Sequence, residues 1–291
     1  MKPAPFEYHR PERAADAVRL LAELGEGAKV LAGGQSLVPM LALRLAYFDH
    51  LVDVTRIDAL RGIERRDGDL WIGAATTDAI VGASPEVAAA APLLTRVTPF
   101  VGHFQIRNRG TFGGSIAHAD PAAEYPAVAL TLDAEMEAMS PRGTRSIPAA
   151  DFFTGLWSTA LEPDELLTGV RVPVWSGRCG FAVEEFARRH GDFAIAGATV
   201  AVELDGDDRV RRCAIGLIGL ASTSVRASAA EAAATGRATT EVPAHELGQQ
   251  AMAGLDEVPS DLQGPASFRT RVGAAMVARA WTAAIAEAGR G

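Results

Sequence analysis

Two short segments, Ala32-Gly-Gly-Gln-Ser36 and Thr111-Phe-Gly-Gly-Ser115, each combine adjacent glycines with a hydroxyl residue at the end. Without Cβ atoms, consecutive glycines let backbone N–H groups converge into a concave nest that accepts anionic oxygens, and Ser36, Thr111 and Ser115 add hydroxyl donors. Two such nests suit a pyrophosphate. A tight turn after a strand uses the same residue types, so either segment alone is a weak signal. Neither is a GxGxxG fingerprint or a GxxxxGKS P-loop, which leaves the common dinucleotide and nucleoside-triphosphate readings without support.

The neighbours of the second segment add chemistry. Arg107 and Arg109 precede it and offset the charge of a phosphate, while Asp120 and Glu124 follow it and accept hydrogen bonds from ligand hydroxyl or ring N–H groups. Two roles stay open for Asp120: a ligand contact, or the cap of a helix beginning at Pro121. His118 lies beside the loop, either solvated or near a ligand. Phe193, in Arg188-Arg-His-Gly-Asp-Phe-Ala194, either lies against a flat ring or packs as a core aromatic on a strand. The six histidines show no HExxH or other metal spacing and no GxSxG elbow occurs, so no metal ligands and no catalytic triad are assigned. Glu64-Arg-Arg66 and Arg211-Arg212 read as solvated faces, and Trp71, Trp157, Trp175 and Trp281 as packing.

The elements that must position these residues follow from hydrophobic spacing. Ala14, Ala17, Val18, Leu21 and Leu24 share one face, predicting a helix over Pro11–Leu24 that stops at Gly25. Lys29–Leu31 is a strand entering the first loop, Leu37–Leu45 a short helix or turn, and Leu51–Val54 a second strand. Leu70–Ile72 predicts a strand, Thr76-Thr-Asp78 a cap before Ala79–Val81, and Pro85–Val97 and Pro121–Leu132 further helices. Val170–Val172 before Pro173 is expected at a sheet edge. Then come three strands, Phe181–Ala187, Ala194–Glu203 and Val210–Leu220, with a hairpin loop at Asp205–Asp208. Helices over Val225–Thr235, Ala244–Gly254 and Phe268–Ala288 follow, an order that indicates a separate α+β domain.

Composition sets the class. The chain has 291 residues, 48% hydrophobic and 22% charged, which is the balance of a folded globular protein of about two domains. Its net charge of −8 argues against a nucleic-acid partner. Cys179 and Cys213 include no CxxC and cannot alone hold an iron–sulfur cluster or structural zinc. The N-terminus has no apolar h-region and no apolar run spans a membrane, so a cytoplasmic location is expected.

Four segments taken in order carry a resemblance: AGGQSLVPMLALRL at 32–45, IRNRGTFGGSIAHADPAAEYPAVAL at 106–130, DELLTGVRVP at 164–173 and EEFARRHGDFA at 184–194. Together they closely resemble the FAD-binding medium subunit of molybdenum hydroxylases, the xanthine dehydrogenase and aerobic carbon monoxide dehydrogenase family, over essentially the whole chain. The resemblance implies an α+β fold: a two-lobed FAD-binding domain of the PCMH or vanillyl-alcohol-oxidase type over 1–175, with lobes of about 1–56 and 57–175. A C-terminal domain of a three-stranded antiparallel sheet with three helices follows over 176–291.

The resemblance also implies that Ala32, Gly33, Gly34, Gln35 and Ser36, flanked by Leu31 and Leu37, grip the FAD pyrophosphate from one lobe, and Thr111, Gly113, Gly114 and Ser115 from the other. Glu124 or Asp120 would hydrogen-bond the cofactor, Leu167 would contact the ring system, and Phe193 would lie close to its reactive edge. Gln35 stands where many relatives carry histidine, so non-covalent FAD is expected. Glu185 stands near where some relatives place a lysine that reaches the flavin. Partners would be a large molybdopterin subunit and a small subunit with two [2Fe–2S] clusters, in a dimer of heterotrimers. Electrons would pass from the clusters through FAD to an acceptor such as NAD, oxygen or a quinone. A stand-alone flavin oxidase or dehydrogenase, and a non-catalytic phosphate-binding scaffold, are the rival readings.

Overall fold

The computed structural model describes residues 2–291. The first sheet is built from β1 (Glu7–His9), α1 (Ala14–Leu24), β2 (Ala28–Leu31), α2 (Leu37–Ala42) and β3 (His50–Asp53). Its strand order is β1-β3-β2, all parallel. Ala17, Val18 and Leu21 of α1 pack against Val52 and Val54, and Gly25, at φ 59°, ends the helix where an L side chain would be strained.

The second sheet begins with β4 (Ile63–Arg66) and β5 (Asp69–Gly73), then a run of short helices intervenes: α3 (Asp78–Ala83), α4 (Pro85–Ala90), α5 (Pro92–Val97), α6 (Phe104–Arg107), α7 (Phe112–His118) and α8 (Glu124–Thr131). β6 (Glu135–Ser140), β7 (Gly143–Pro148), α9 (Ala149–Phe152), a separate two-stranded hairpin of β8 (Phe153–Gly155) and β9 (Ser158–Thr159), and β10 (Leu166–Val172) follow. The order is β4-β5-β10-β6-β7. β10 is therefore central and not the expected edge strand. Its last ladder residue is Val172, opposite Leu70, so Pro173 falls just past the pairing and removes no bond from it.

Two expected helices are also shorter than their apolar spacing suggested. The stretch 85–97 breaks into α4 and α5 at Ala91, because Pro92 has no N–H to give and starts a new helix at its own first turn. The helix after Pro121 starts only at Glu124, since Asp120 Oδ1 accepts from Ala122 N at 2.8 Å and holds residues 120–123 in a separate turn.

The third sheet comprises β11 (Arg178–Phe186), β12 (Ala196–Leu204), β13 (Val210–Ile218) and a two-residue β14 (Val225–Arg226), antiparallel and in that order. Val225 and Arg226 pair with Leu217 and Gly216, so the expected three strands gain a fourth and the following helix, α10 (Ser228–Ala234), begins later than its alanine content implied. α11 (Ala244–Ala253) and α12 (Ala266–Ala288) cover one face. Phe181, Ala201 and Ala214 face the core of the second sheet, while Ala182, Val200 and Val202 face the helices. Both faces of β12 are buried, which explains why it is mostly apolar, with Thr199 the one fully buried polar side chain in it. Among the described residues no helix is long and apolar enough to cross a membrane.

Candidate functional site

The two glycine loops meet. A Cβ on Gly33 would lie 2.1 Å from Arg109 O and 2.7 Å from Gly110 Cα, and one on Gly114 would lie 3.4 Å from Ala32 Cβ. The first sheet thus brings residues 31–37 directly against the start of α7, and only a side chain as small as hydrogen allows it.

The loops differ in what they offer. Around the first, Gly34 sits at φ 73° and Gln35 Nε2 donates to Gly33 O at 2.8 Å, folding the side chain back on its own turn. Among the described residues, the N–H groups of Gly33, Gly34, Gln35, Ser36 and Leu37 have no protein acceptor. They form the nest that the residue types suggest. Leu31 ends β2 and Leu37 opens α2, both half-buried.

The second loop is not a nest of free amides. Phe112 N donates to Thr76 O, Gly113 N to Ala74 O, Gly114 N to Thr111 Oγ1 and Ser115 N to Thr111 O. Thr111 is the N-cap of α7, and its hydroxyl is spent on the helix's first turn. What remains for a ligand is a flat approach over Gly114 and the Ser115 hydroxyl. Arg109 is exposed beside it, whereas Arg107 donates to Val101 O and Gly102 O and pins that turn.

The acids separate into two kinds. Asp120 accepts from Ala122 N and, through Oδ2, from Trp157 Nε1 at 3.2 Å. Of its two open roles, the helix cap is not the one adopted, because Ala123 holds that position. His118 lies 4.0 Å from the same carboxylate, and burial pushes its pKa down against the opposing pull of Asp120. Trp157, read as packing, is instead 52% exposed, while Trp71, Trp175 and Trp281 are buried.

Behind the second loop lies a group of buried carboxyls. Asp78 is 2% exposed, its N–H donates to Gly110 O and its Oδ1 has no hydrogen-bond partner. Glu124, 7% exposed, opens α8, and Glu185 on β11 has a buried, unpartnered Oε2. Burial is the main cause of raised pKa values, to about 7 for Asp78 and Glu124 and about 8 for Glu185, with the charge of Glu124 adding to the other two. Arg107 is the one cation that opposes this at Asp78. These acids hold protons near neutrality and can donate as well as accept. Asp78 carried no sequence signal beyond a first-turn acid, because its burial depends on Gly110, distant in the chain.

Two further residues fall differently from one another. Leu167 is buried in the core, on β10 next to Thr168, whose carbonyl accepts from Ala74 N beneath Gly113. Phe193 is 57% exposed in the β11–β12 turn, so it is not a core aromatic. Its loop docks on the second sheet's domain, with Gly191 so close to His103 that a Cβ would lie 2.7 Å from the ring. The arginine runs are only partly solvated: Arg66 and Arg212 lie over the rings of Trp71 and Trp175.

Comparison with known proteins is consistent over the full length. Residues 4–175 match the FAD binding domain in molybdopterin dehydrogenase, and residues 181–284 match the CO dehydrogenase flavoprotein C-terminal domain. The chain is 39% identical to the carbon monoxide dehydrogenase medium chain of Hydrogenophaga pseudoflava over 98% of both chains. It is 40% identical to the 6-hydroxypseudooxynicotine dehydrogenase complex subunit alpha of Paenarthrobacter nicotinovorans, over 96% of this chain and 94% of that one. Its structure superposes on the Hydrogenophaga pseudoflava carbon monoxide dehydrogenase with a TM-score of 0.95, 41% identity and 99% of each chain covered. On quinoline 2-oxidoreductase from Pseudomonas putida 86 the TM-score is 0.93, at 35% identity and 99% of each chain. A mixed helix-and-strand fold, paired glycine loops brought together from two sheets, and end-to-end similarity to medium chains lead to one conclusion: this chain belongs to the family of FAD-binding medium subunits of molybdenum hydroxylases.

Proposed function

We propose that the chain holds FAD non-covalently where its two glycine loops meet and serves as the flavin relay of a molybdenum hydroxylase complex. The observation that carries this is the contact of Gly33 with Arg109 and Gly110, which sets the free amides of residues 33–37 beside Gly114 and Ser115. Bound FAD supplies the chemistry of accepting electrons singly and passing them on in pairs.

The chain's own residues position and protect. The amides of Gly33 to Leu37 bind the diphosphate, the Ser36 and Ser115 hydroxyls add donors, and Arg109 offsets its charge. Asp120 or Glu124 accepts a hydrogen bond from the cofactor, Leu167 backs the ring system and Phe193 covers its edge. Gln35 has no nucleophilic atom, which supports a cofactor held without a covalent bond. The division into 1–175 and 176–291 is supported by the two matched family models.

The similarity to medium chains and to a subunit of a dehydrogenase complex supports partners: a separate iron–sulfur subunit to deliver electrons and a molybdopterin subunit to oxidise the substrate. The two cysteines, with no CxxC pair, hold no such cluster in this chain. We place this assembly in the cytoplasm as a dimer of heterotrimers. The relatives named above differ in what they oxidise, so substrate choice rests with the molybdenum subunit.

The test is reconstitution. The full chain, purified and titrated with FAD, is expected to bind one flavin per chain and release it to the supernatant on acid precipitation. Flavin retained in the precipitate overturns non-covalent attachment. Failure to bind, both alone and when co-produced with the partner subunits, overturns the flavin assignment.

A further inference from the structure

On the first sheet, away from the glycine loops, three potential ligand atoms converge. β1 and β3 run parallel with Glu7 opposite His50, and His9 lies two residues on, so Glu7 and His9 share a face of β1. His9 Nε2 lies 3.2 Å from His50 Nδ1. Glu7 Oε2 lies 3.5 Å from His50 Nδ1 and 4.0 Å from His9 Nε2. Both imidazoles are half-buried and the carboxylate is exposed.

From these distances we propose that Glu7, His9 and His50 form a binding site for one late first-row divalent cation, of which zinc is the probe of choice. Zinc–imidazole bonds are about 2.0–2.1 Å long, and two of them at a tetrahedral angle put the nitrogens about 3.3 Å apart. The separation of the two ring nitrogens already matches that edge. To reach the same edge of about 3.3 Å from both nitrogens, the Glu7 oxygen must close by about 0.2 Å toward His50 and about 0.7 Å toward His9, a shift that a side chain 75% exposed is free to make. A single N–H···N hydrogen bond between the imidazoles would account for their spacing but not for the carboxylate converging on both.

The donor set fixes the class of ion. Two imidazoles and one carboxylate suit Zn²⁺, Ni²⁺ or Cu²⁺, whereas Mg²⁺ and Ca²⁺ select oxygen ligands. The position on the solvent side stays open to water. The consequence is mechanical, because β1 is a three-residue edge strand paired only with β3, tied on its other face by the Tyr8 hydroxyl donating to Asp53. An ion bridging His9 and His50 staples that strand to the sheet whose neighbouring strand, β2, leads into the first glycine loop. This site is independent of the flavin reading.

The test is calorimetric titration of the metal-free full chain with zinc chloride, with thermal melts in parallel and no flavin added. One zinc per chain is expected, with a raised melting temperature. His9→Ala and His50→Ala are each expected to weaken binding by about a hundredfold, and the exposed Glu7→Gln by about tenfold, with magnesium giving no saturable heat. The Glu7→Gln variant guards against misfolding of the histidine variants. No saturable zinc binding overturns the proposal. So does binding that persists unchanged in His9→Ala and His50→Ala, which would place the ion elsewhere, for instance at His103 and His190.

Discussion

The Trp157 indole donates to Asp120 Oδ2 across 37 positions of sequence, and its ring lies parallel to the His118 imidazole, 12° between planes and 6.3 Å between centroids. Trp157 holds a left-handed backbone, φ 53°, at the tip of the β8–β9 hairpin, a conformation that costs an L residue about 1–2 kcal/mol. The hairpin therefore presents this ring beside an acid expected to meet the cofactor. FAD titration should quench tryptophan fluorescence, and Trp157→Phe should lower that response while FAD still binds, because Trp157 is the exposed indole held against Asp120. An undiminished quench in Trp157→Phe would move the flavin away from this hairpin.

Gly33→Ala is expected to abolish measurable FAD binding. The new Cβ would sit 2.1 Å from a backbone oxygen, which cannot yield as a flexible side chain could, so the loops must separate. The same strain should cost about 1–3 kcal/mol of stability, read as a lower denaturation midpoint. By contrast Gly68→Ala, at φ 93° in an open turn with nothing near its Cβ, should lose some stability and keep FAD affinity. Equal affinity for wild type and Gly33→Ala would refute the paired-loop site.

Some local signals in the chain were readable from neighbours in sequence, although the equally local breaks at Pro92 and Asp120 were passed over. Thr77 caps α3 by accepting from Ile80 N, and β2 runs straight into the first loop, as their residue types indicate. Tertiary placement was not readable. The centrality of β10 depends on β5 and β6 flanking it, and the pairing of Val225 depends on Leu217. The two glycine segments look alike, yet the amides of one are free and those of the other are consumed by Ala74, Thr76 and Thr111, a difference set by the turn at 74–76. Asp78 and Trp157 were missed because burial and stacking are made by residues far along the chain.

Stability should fall with rising pH through neutrality. In the unfolded chain Asp78, Glu124 and Glu185 ionise near 4, while in the fold they keep protons to about 7, 7 and 8. Between those limits the native state binds more protons, so their contribution is complete at low pH and is lost as pH rises through the folded values. Each group adds at most about 1.4 kcal/mol per pH unit to the slope. Glu185→Gln, which cannot ionise, should flatten the decline between pH 5 and 8, about one proton's worth, in urea denaturation followed across pH. A wild-type midpoint independent of pH over that range would show that these carboxyls ionise normally.

Arg96 on α5 grips Glu287 on α12 through two bonds of 2.5 and 2.6 Å, and Glu287 Oε2 also accepts from Phe181 N at 2.9 Å. This cluster joins the flavin-binding domain to the C-terminal one. Both side chains are partly exposed, so the ion pair itself contributes only about 1 kcal/mol, but removing Arg96 also strips a donor from Phe181 O. Arg96 holds the Glu287 carboxyl below its usual range, so this contribution is present at neutral pH and disappears as pH falls through that lowered value. A cycle of Arg96→Ala, Glu287→Ala and the double variant should give a coupling of about 1 kcal/mol at pH 7 and less in acid. Because β11 leads into the loop that holds Phe193, the single variants should also weaken FAD binding severalfold while leaving the glycine loops intact. Strict additivity, with no change in FAD affinity, would mean that apolar packing between the domains aligns them without this clamp.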